Sequence, residues 1–549
     1  MESTASKTAA LRALDRWRIA TGVVLLVLAI LAVATFRDYG ISHDEFVQHS
    51  YGKLLWKFYL SGFADRSAFS YIDLFRYGGL FDLAATALAV GLPLPEYDTR
   101  HLLSALSGIV GIAGAGRLAT LLGGTRAGFL AVALLALTGS YYGAMFNNTK
   151  DIPFAAGMIW TLYYAVRLIP ELPRPGIGLV LKFGAVFGLA IGIRVGVLMM
   201  PVYLLAGVLI WAWDRAREEG TGPAVAARDV GRAALRLLPA AALAYAIMAV
   251  TWPWGVEAPL NPLRALAFFS NHPIRLNTQM FGIRIVSDTT PWYYIPGYLL
   301  VKLPEVTLLL LAPGLLVLGR RMVRRRGAER AQAAMVVLAA LLPIVLFIVF
   351  RPTVFNGLRH FFFVVPPLTA IAAVGADRLL RELYRRRPTL AAALAVMLLG
   401  AGLAEARIML ALHPNQYVYY NTVAGGLAGA QDRFEMDYWS NSIREAALLL
   451  YDRVRAETGG IPPAQPYKVA LCSEKPTFYE HVPPGWFEPP PIWPLGDFFV
   501  APTQMGCARA LDGETIAVIE RLGTPLAVIK DRRMLPKPDV PIAGRPPER

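Results

Sequence analysis

Residues 331–350 read AQAAMVVLAALLPIVLFIVF, a stretch without a single formal charge. About 20 apolar residues are what a helix needs to cross ~30 Å of hydrocarbon. Arginines bound it on both sides: Arg320, Arg321, Arg324, Arg325, Arg326 and Arg330 before it, Arg351 after it. Ten more apolar runs fall near 19–36, 101–122, 127–145, 153–169, 177–193, 196–213, 234–252, 294–318, 360–378 and 389–411. The stretch 177–213 is too long for one helix and is divided at Arg194. The expected fold is an all-α polytopic membrane protein of about eleven transmembrane helices, with a small C-terminal soluble α/β domain.

Composition agrees. Over 549 residues the chain is 55% hydrophobic and 17% charged, with a mean hydropathy of +0.45. One soluble core cannot hide that much apolar side chain, so the bilayer is its natural solvent. The charges lie between the runs, because one at a helix centre costs roughly 2.5–3.5 kcal/mol. A net charge of +15 does not imply nucleic acid. The basic residues crowd into short loops, here and at Arg385, Arg386 and Arg387, as the positive-inside bias requires.

Let the N-terminus start inside and each run cross once. The basic segments 117–126, 167–182, 214–236, 320–330 and 378–387 then all face the cytoplasm. The odd number of crossings puts everything after His413 outside. The first run follows Arg12, Arg16 and Arg18 and contains Ala32-Val33-Ala34, which has the form of a signal-peptidase site. Its length favours a retained span. The expected address is a bacterial inner membrane, multi-pass, with a cytoplasmic N-terminus and a periplasmic C-terminal domain.

Residues 1–411 form the transmembrane domain, with external loops 37–100, 146–152, 253–293 and 351–359. Within 37–100, the spacing of Phe46, Tyr51, Leu54, Leu55, Phe58 and Tyr59 predicts an amphipathic helix in the membrane interface. Residues 412–549 form the extracytoplasmic α/β domain. A helix is expected over 440–457, and strands over Tyr467–Leu471, Thr515–Glu520 and Leu526–Lys530. The only two cysteines, Cys472 and Cys507, fall in this region. An oxidising compartment predicts that they are joined.

Four constellations carry chemistry. Ser42-His43-Asp44-Glu45 follows the first run. Its acids are either solvated loop charges or a general base for an attacking hydroxyl. Asn147-Asn148-Thr149-Lys150-Asp151-Ile152-Pro153 fills a short external loop. Asp151 is either the N-cap of the next helix or part of the same site as Asp44, beside Lys150. The external cations Arg194, Arg351, Arg359 and His360 either snorkel at the interface or hold a phosphate through charge-assisted hydrogen bonds. Trp252, Trp254, Trp292, Tyr293 and Tyr294 read as an interfacial aromatic belt, the alternative being sugar stacking. No Walker A, zincin or nucleophile-elbow pattern occurs, and two cysteines cannot make a four-cysteine zinc site.

In their order along the chain these motifs resemble the GT-C membrane glycosyltransferases of the family 39 type, which include protein O-mannosyltransferases and the bacterial aminoarabinose transferase of lipid A. The resemblance rests on Asp44-Glu45 and on Asn148-Thr149-Lys150-Asp151-Ile152-Pro153. Further along it rests on Phe355-Asn356-Gly357-Leu358-Arg359-His360 through Val365-Pro366-Pro367. Beyond that come His413-Pro414 with Tyr417, Tyr420 and Asn421, then Asp437-Tyr438-Trp439 and Arg444-Glu445. It spans roughly residues 15–450. The C-terminal region is not the β-trefoil of the eukaryotic protein O-mannosyltransferases.

The resemblance implies a GT-C-like catalytic domain and transfer of a hexose or pentose from a polyprenyl-phosphate donor to a hydroxyl, outside the cytoplasm and with inversion. Asp44 is the implied base, with Glu45 and Asp151 orienting it, binding the acceptor or holding a cation. Lys150, Arg194, Arg351, Arg359 and His360 are assigned to the donor phosphate. His43, Trp292 and Tyr293 are assigned to the sugar or acceptor. The three acids are oxygen ligands of the kind a divalent ion takes. Fixed Arg and Lys charges neutralise the phosphate instead, so no metal and no cofactor is expected. The partners are the lipid-linked sugar and an envelope glycan, lipid or protein acceptor, not nucleic acid. A transporter or lipid flippase is the alternative, followed by a non-catalytic envelope-assembly protein. Against transport, the ionisable residues gather at one face and no internal repeat is seen.

Overall fold

A computed structural model describes residues 15–147, 149–270 and 272–538. Arg12 and Asn148 of the motifs above lie outside the described residues. Among the described residues nine helices are long and apolar enough to cross a membrane. They are Arg16–Asp38, Glu96–Gly123, Asp151–Glu171, Val195–Glu218, Pro223–Thr251, Glu305–Arg324, Gly327–Phe350, Arg359–Arg386 and Pro388–Leu412.

Two of the eleven expected spans take another form. The run 127–145 becomes Thr125–Ala136 and Gly139–Asn147, bent by 66° to one another. At the bend, Thr138 Oγ1 donates back to Leu134 O at 2.8 Å. A Cβ on Gly139 would come within 3.0 Å of Tyr419 Cβ. The run 177–193 becomes the 15-residue helix Ile177–Ile191, about 22 Å long at 1.5 Å per residue and short of a full crossing. The run 294–318 is also interrupted. It forms Tyr294–Lys302 and Glu305–Arg324, with Pro304, which has no N–H to donate, at the break.

Cα packing divides the chain into two units. The helical unit holds the residues up to Tyr39 and Val47–Phe434, so 412–434 cluster with the helices. Its most enclosed span is Arg359–Arg386, in which every residue from Val365 to Asp377 is buried. Small residues let a neighbour approach: a Cβ on Gly375 would meet Gly314 N at 2.4 Å. The amphipathic pattern in 37–100 forms the helix Glu45–Leu60, which buries Tyr51, Leu55 and Phe58 and leaves Phe46 exposed.

The second unit joins Gly40–Phe46 to the chain from Glu435 onward. It contains a five-stranded sheet in the order Phe487–Glu488, Tyr467–Leu471, Phe498–Pro502, Thr524–Asp531, Glu514–Arg521. The pairs made by Tyr467–Leu471 are parallel and the rest antiparallel. Helix Ile443–Glu457 lays Ile443, Ala447 and Leu450 over one face, against Val469, Phe498 and Val500. The opposite face gathers Ala470, Phe499 and Ala501 with Cys472 and Cys507. These cysteines are joined, with their Cα atoms 6.1 Å apart, inside the range a disulfide spans. Three strands, Tyr467–Leu471, Glu514–Arg521 and Thr524–Asp531, fall where the sequence predicts them. The middle strand, Phe498–Pro502, does not alternate because every residue in it is buried.

Candidate active site

Asp151 opens the helix Asp151–Leu168 and is fully inside it, the N-cap being Lys150. Its carboxylate is 2% exposed and does not cap. Arg194 Nη1 meets Oδ1 at 2.5 Å, and Arg359 Nε meets Oδ2 at 3.3 Å. Arg359 starts the span Arg359–Arg386, and Arg194 stands in the turn after Ile177–Ile191. Three elements distant in sequence thus converge on one acid. A helix N-terminus favours that negative charge, and the two guanidiniums more than neutralise it.

Beside this pair lies a cavity of about 260 Å³, whose walls include Tyr77, Arg194, Phe269, His272, Phe355 and His360. Lys150 Nζ lies 4.4 Å from the centre of the Tyr77 ring, and the Arg194 guanidinium lies 5.5 Å from it. Tyr77 packs on Phe269 at 4.2 Å, and His272 stacks on Phe269 at 5.8 Å. Burial pushes the His272 imidazole below its ordinary pKa, with the Lys150 and Arg76 charges adding to this and Asp73 opposing it. His360 meets Phe355 edge-on at 4.8 Å. A recess with one arginine, two imidazoles and aromatic walls suits an anionic oxygen attached to an apolar body.

The short loop that carries Thr149 and Lys150 is braced by residues that the motif reading missed. Arg100 Nη2 pairs with Asp82 Oδ1 at 2.6 Å, with both side chains buried, and reaches Thr149 Oγ1 at 3.4 Å. Thr149 Oγ1 donates to Gln48 Oε1 at 2.5 Å. The available signal was a charge inside an apolar helix: Asp82 sits in Leu80–Gly91, and Arg100 lies in the first turns of Glu96–Gly123.

Asp44 belongs to the other unit, in a turn directly before the helix Glu45–Leu60, and is partly buried. Glu45 is fully buried, and its Oε2 accepts from Ser42 N at 3.1 Å. The Ser-x-x-Glu spacing is that of a capping box. His43 Nε2 lies 2.6 Å from Ser440 Oγ and 3.0 Å from Ser473 Oγ. Asp437 accepts from Asn441 N at 2.9 Å and from Ser442 N at 3.2 Å, fixing the turn that carries Ser440. Neither Ser440 nor Ser473 stands out in the sequence.

The remaining candidates scatter. Arg351 is exposed, caps the end of Gly327–Phe350 in a left-handed conformation, and is not among the cavity walls. Trp292 and Tyr293 are exposed. Trp252 and Tyr294 do not form an aromatic belt, since both are fully buried. Trp252 Nε1 donates to Phe75 O at 2.9 Å, and Tyr294 Oη accepts from Gly357 N at 3.0 Å. Among the described residues no group of three or more His, Cys, Asp or Glu is placed to hold a metal ion.

Residues 99–226, which carry Lys150, Asp151 and Arg194, match the family described as dolichyl-phosphate-mannose-protein mannosyltransferase. No curated protein matches the chain. Among solved structures, ArnT from Cupriavidus metallidurans bound to undecaprenyl phosphate is 16% identical with a TM-score of 0.49, covering 93% of this chain and 98% of that one. The oligosaccharyltransferase AglB from Archaeoglobus fulgidus, in complex with an inhibitory peptide and a dolichol-phosphate, is 12% identical with a TM-score of 0.48, covering 88% of this chain and 69% of that one. The family match agrees with the order of motifs, and the chain resembles a membrane glycosyltransferase of the GT-C type.

Proposed function

We propose that the chain moves a sugar from a polyprenyl-phosphate donor to an acceptor hydroxyl at the outer face of a bacterial inner membrane, inverting the anomeric carbon, with Asp44 as base. The observation that carries this reading is the cavity bordered by Arg194, His272 and His360, against the arginine-bridged Asp151. It lies in the apolar helical unit. The match of residues 99–226 to a family named for a lipid-phosphate sugar donor supports the same reading.

The donor's leaving group is a phosphate bearing a lipid tail. Negative charge grows on its bridging oxygen as the bond to the sugar breaks, and fixed cations lower that barrier. Arg194 and Lys150 serve this purpose. Asp151 takes a supporting role, because both of its oxygens receive arginines: it holds Arg194 and Arg359 in place. The acceptor hydroxyl gives its proton to Asp44 as it attacks. One displacement inverts the centre, and a phosphate leaves without a general acid. The acceptor is an envelope glycan, lipid or protein.

The test uses the purified chain in lipid nanodiscs, supplied with an envelope lipid extract that contains polyprenyl-phosphate sugars. Release of polyprenyl phosphate, followed by mass spectrometry, is expected for the wild type and lost in Asp44→Asn. An Asn variant with wild-type turnover would refute the base assignment.

A further inference from the structure

We propose that His43 is a positioning residue: clamped by Ser440 and Ser473, it fixes the turn that carries Asp44 onto the C-terminal sheet domain and so holds the base in one conformation. The inference rests on the reading of Asp44 as base.

Gly40–Phe46 packs with a domain whose other residues begin at Glu435. Contacts along its length hold it there. At its start, Asn441 Nδ2 donates to Gly40 O at 3.2 Å. Gly40 lies so near the same turn that a Cβ would come 2.7 Å from Asn441 O and 3.1 Å from Arg444 Cβ. In the middle, His43 N donates to Trp439 O at 3.3 Å. The His43 ring then reaches the two serines at 2.6 and 3.0 Å.

The hydroxyl chain assigns the proton. Thr477 Oγ1 donates its only hydrogen to Glu474 O at 2.7 Å. It therefore accepts from Ser473 Oγ, 2.8 Å away. That uses the Ser473 hydrogen, so Ser473 accepts from His43, and Nε2 carries the N–H. An Nε2 engaged in this way is not presented to a sugar. Ser440 adds a second sign of selection for geometry. Its φ is +56°, a region where a non-glycine residue is strained and persists only if the surroundings require it. The side chain that a glycine would lack is the hydroxyl on His43.

Ser473 is itself anchored. It follows Cys472, which is bridged to Cys507 and donates its N–H to Val500 O at 3.1 Å. The path from the sheet to Asp44 is therefore short and rigid: disulfide, Ser473, His43, Asp44. A general base works only within hydrogen-bond reach of its proton, and a misplacement of ~1 Å costs on the order of 10²-fold in rate.

The experiment compares Ser473→Ala, Ser473→Thr, the double variant Ser440→Gly/Ser473→Ala and Asp44→Asn in nanodiscs, measuring kcat, KM for both substrates and the unfolding midpoint. Ser473→Ala should lower kcat about ten-fold or more while leaving both KM values within about two-fold. Ser473→Thr should restore kcat, and the double variant should fall further. Wild-type kcat in the double variant overturns the proposal, as does a loss expressed in acceptor KM. A loss of kcat that threonine does not rescue, or that merely tracks the unfolding midpoint, also overturns it. If Asp44→Asn keeps its turnover, the base reading itself has failed. If Asp44→Asn is dead and the double variant is normal, only the positioning role has failed.

Discussion

Arg359 Nε reaches Asp151 Oδ2 at 3.3 Å across 208 residues of chain, while Arg194 takes the other oxygen of the same carboxylate. The sequence suggested a phosphate clamp for both arginines. The structure instead engages both with Asp151. Only Arg194 also borders the cavity.

Asp151→Asn therefore removes the negative charge that both guanidiniums engage. Breaking a buried pair by removing one partner costs about 3–5 kcal/mol. A markedly lower unfolding midpoint in detergent is expected. An unchanged midpoint would mean that solvent already screens the pair.

Arg194 and Arg351 should behave differently. Arg194→Ala removes a cation from the cavity wall, and its charge-assisted bond to an anion is worth about 1.5–3 kcal/mol, roughly a ten- to hundred-fold loss of affinity for polyprenyl phosphate. Arg351→Ala, on an exposed helix end, should bind as the wild type does. Calorimetric titration of both variants decides this, and equal losses would move the phosphate away from the Arg194 cavity.

His272 supplies a pH dependence. Its imidazole titrates below the ordinary 6.5 in the folded chain, chiefly because it is buried. Between 6.5 and the lower folded value, the unfolded chain binds the proton and the folded chain resists it. Stability therefore falls as the pH drops through that window, and the loss is complete below the folded value. His272→Gln should flatten the unfolding midpoint between pH 7.5 and pH 5.5, and curves that stay parallel would contradict the assignment.

The Cys472–Cys507 bridge closes a loop with a sequence separation of 35. Loop-closure entropy predicts roughly 3–4 kcal/mol from such a link. Cys472→Ser/Cys507→Ser should lower the unfolding midpoint of the C-terminal domain, and adding reductant should then have no further effect. A reductant-insensitive wild type would show that the link contributes little.

The helical frame was legible because hydrocarbon thickness imposes a length on every run, and 331–350 meets it without a charge. The breaks were less legible. Pro304 interrupts 294–318, and at the bend after Ala136 Gly139 lies against Tyr419, an approach no local pattern contains. Asp151, Arg194 and Arg359 were each visible as charges beside apolar runs, but their mutual pairing is tertiary. Asp82 and Arg100 could have been flagged by the same rule. Ser440 and Ser473 could not, because a serine in a polar loop has no distinguishing mark until the fold brings it to His43.

The central claim is that this chain consumes a lipid-linked sugar. Mass spectrometry of the lipids and glycans of the native host's envelope, comparing a deletion strain with the same strain carrying the wild-type gene, tests it most directly. The account predicts that deletion removes one sugar-sized mass increment from a single envelope component while a polyprenyl-phosphate sugar accumulates, and that the wild-type gene reverses both changes. Identical spectra with and without the gene, or a lost increment with no accumulated donor, would contradict it.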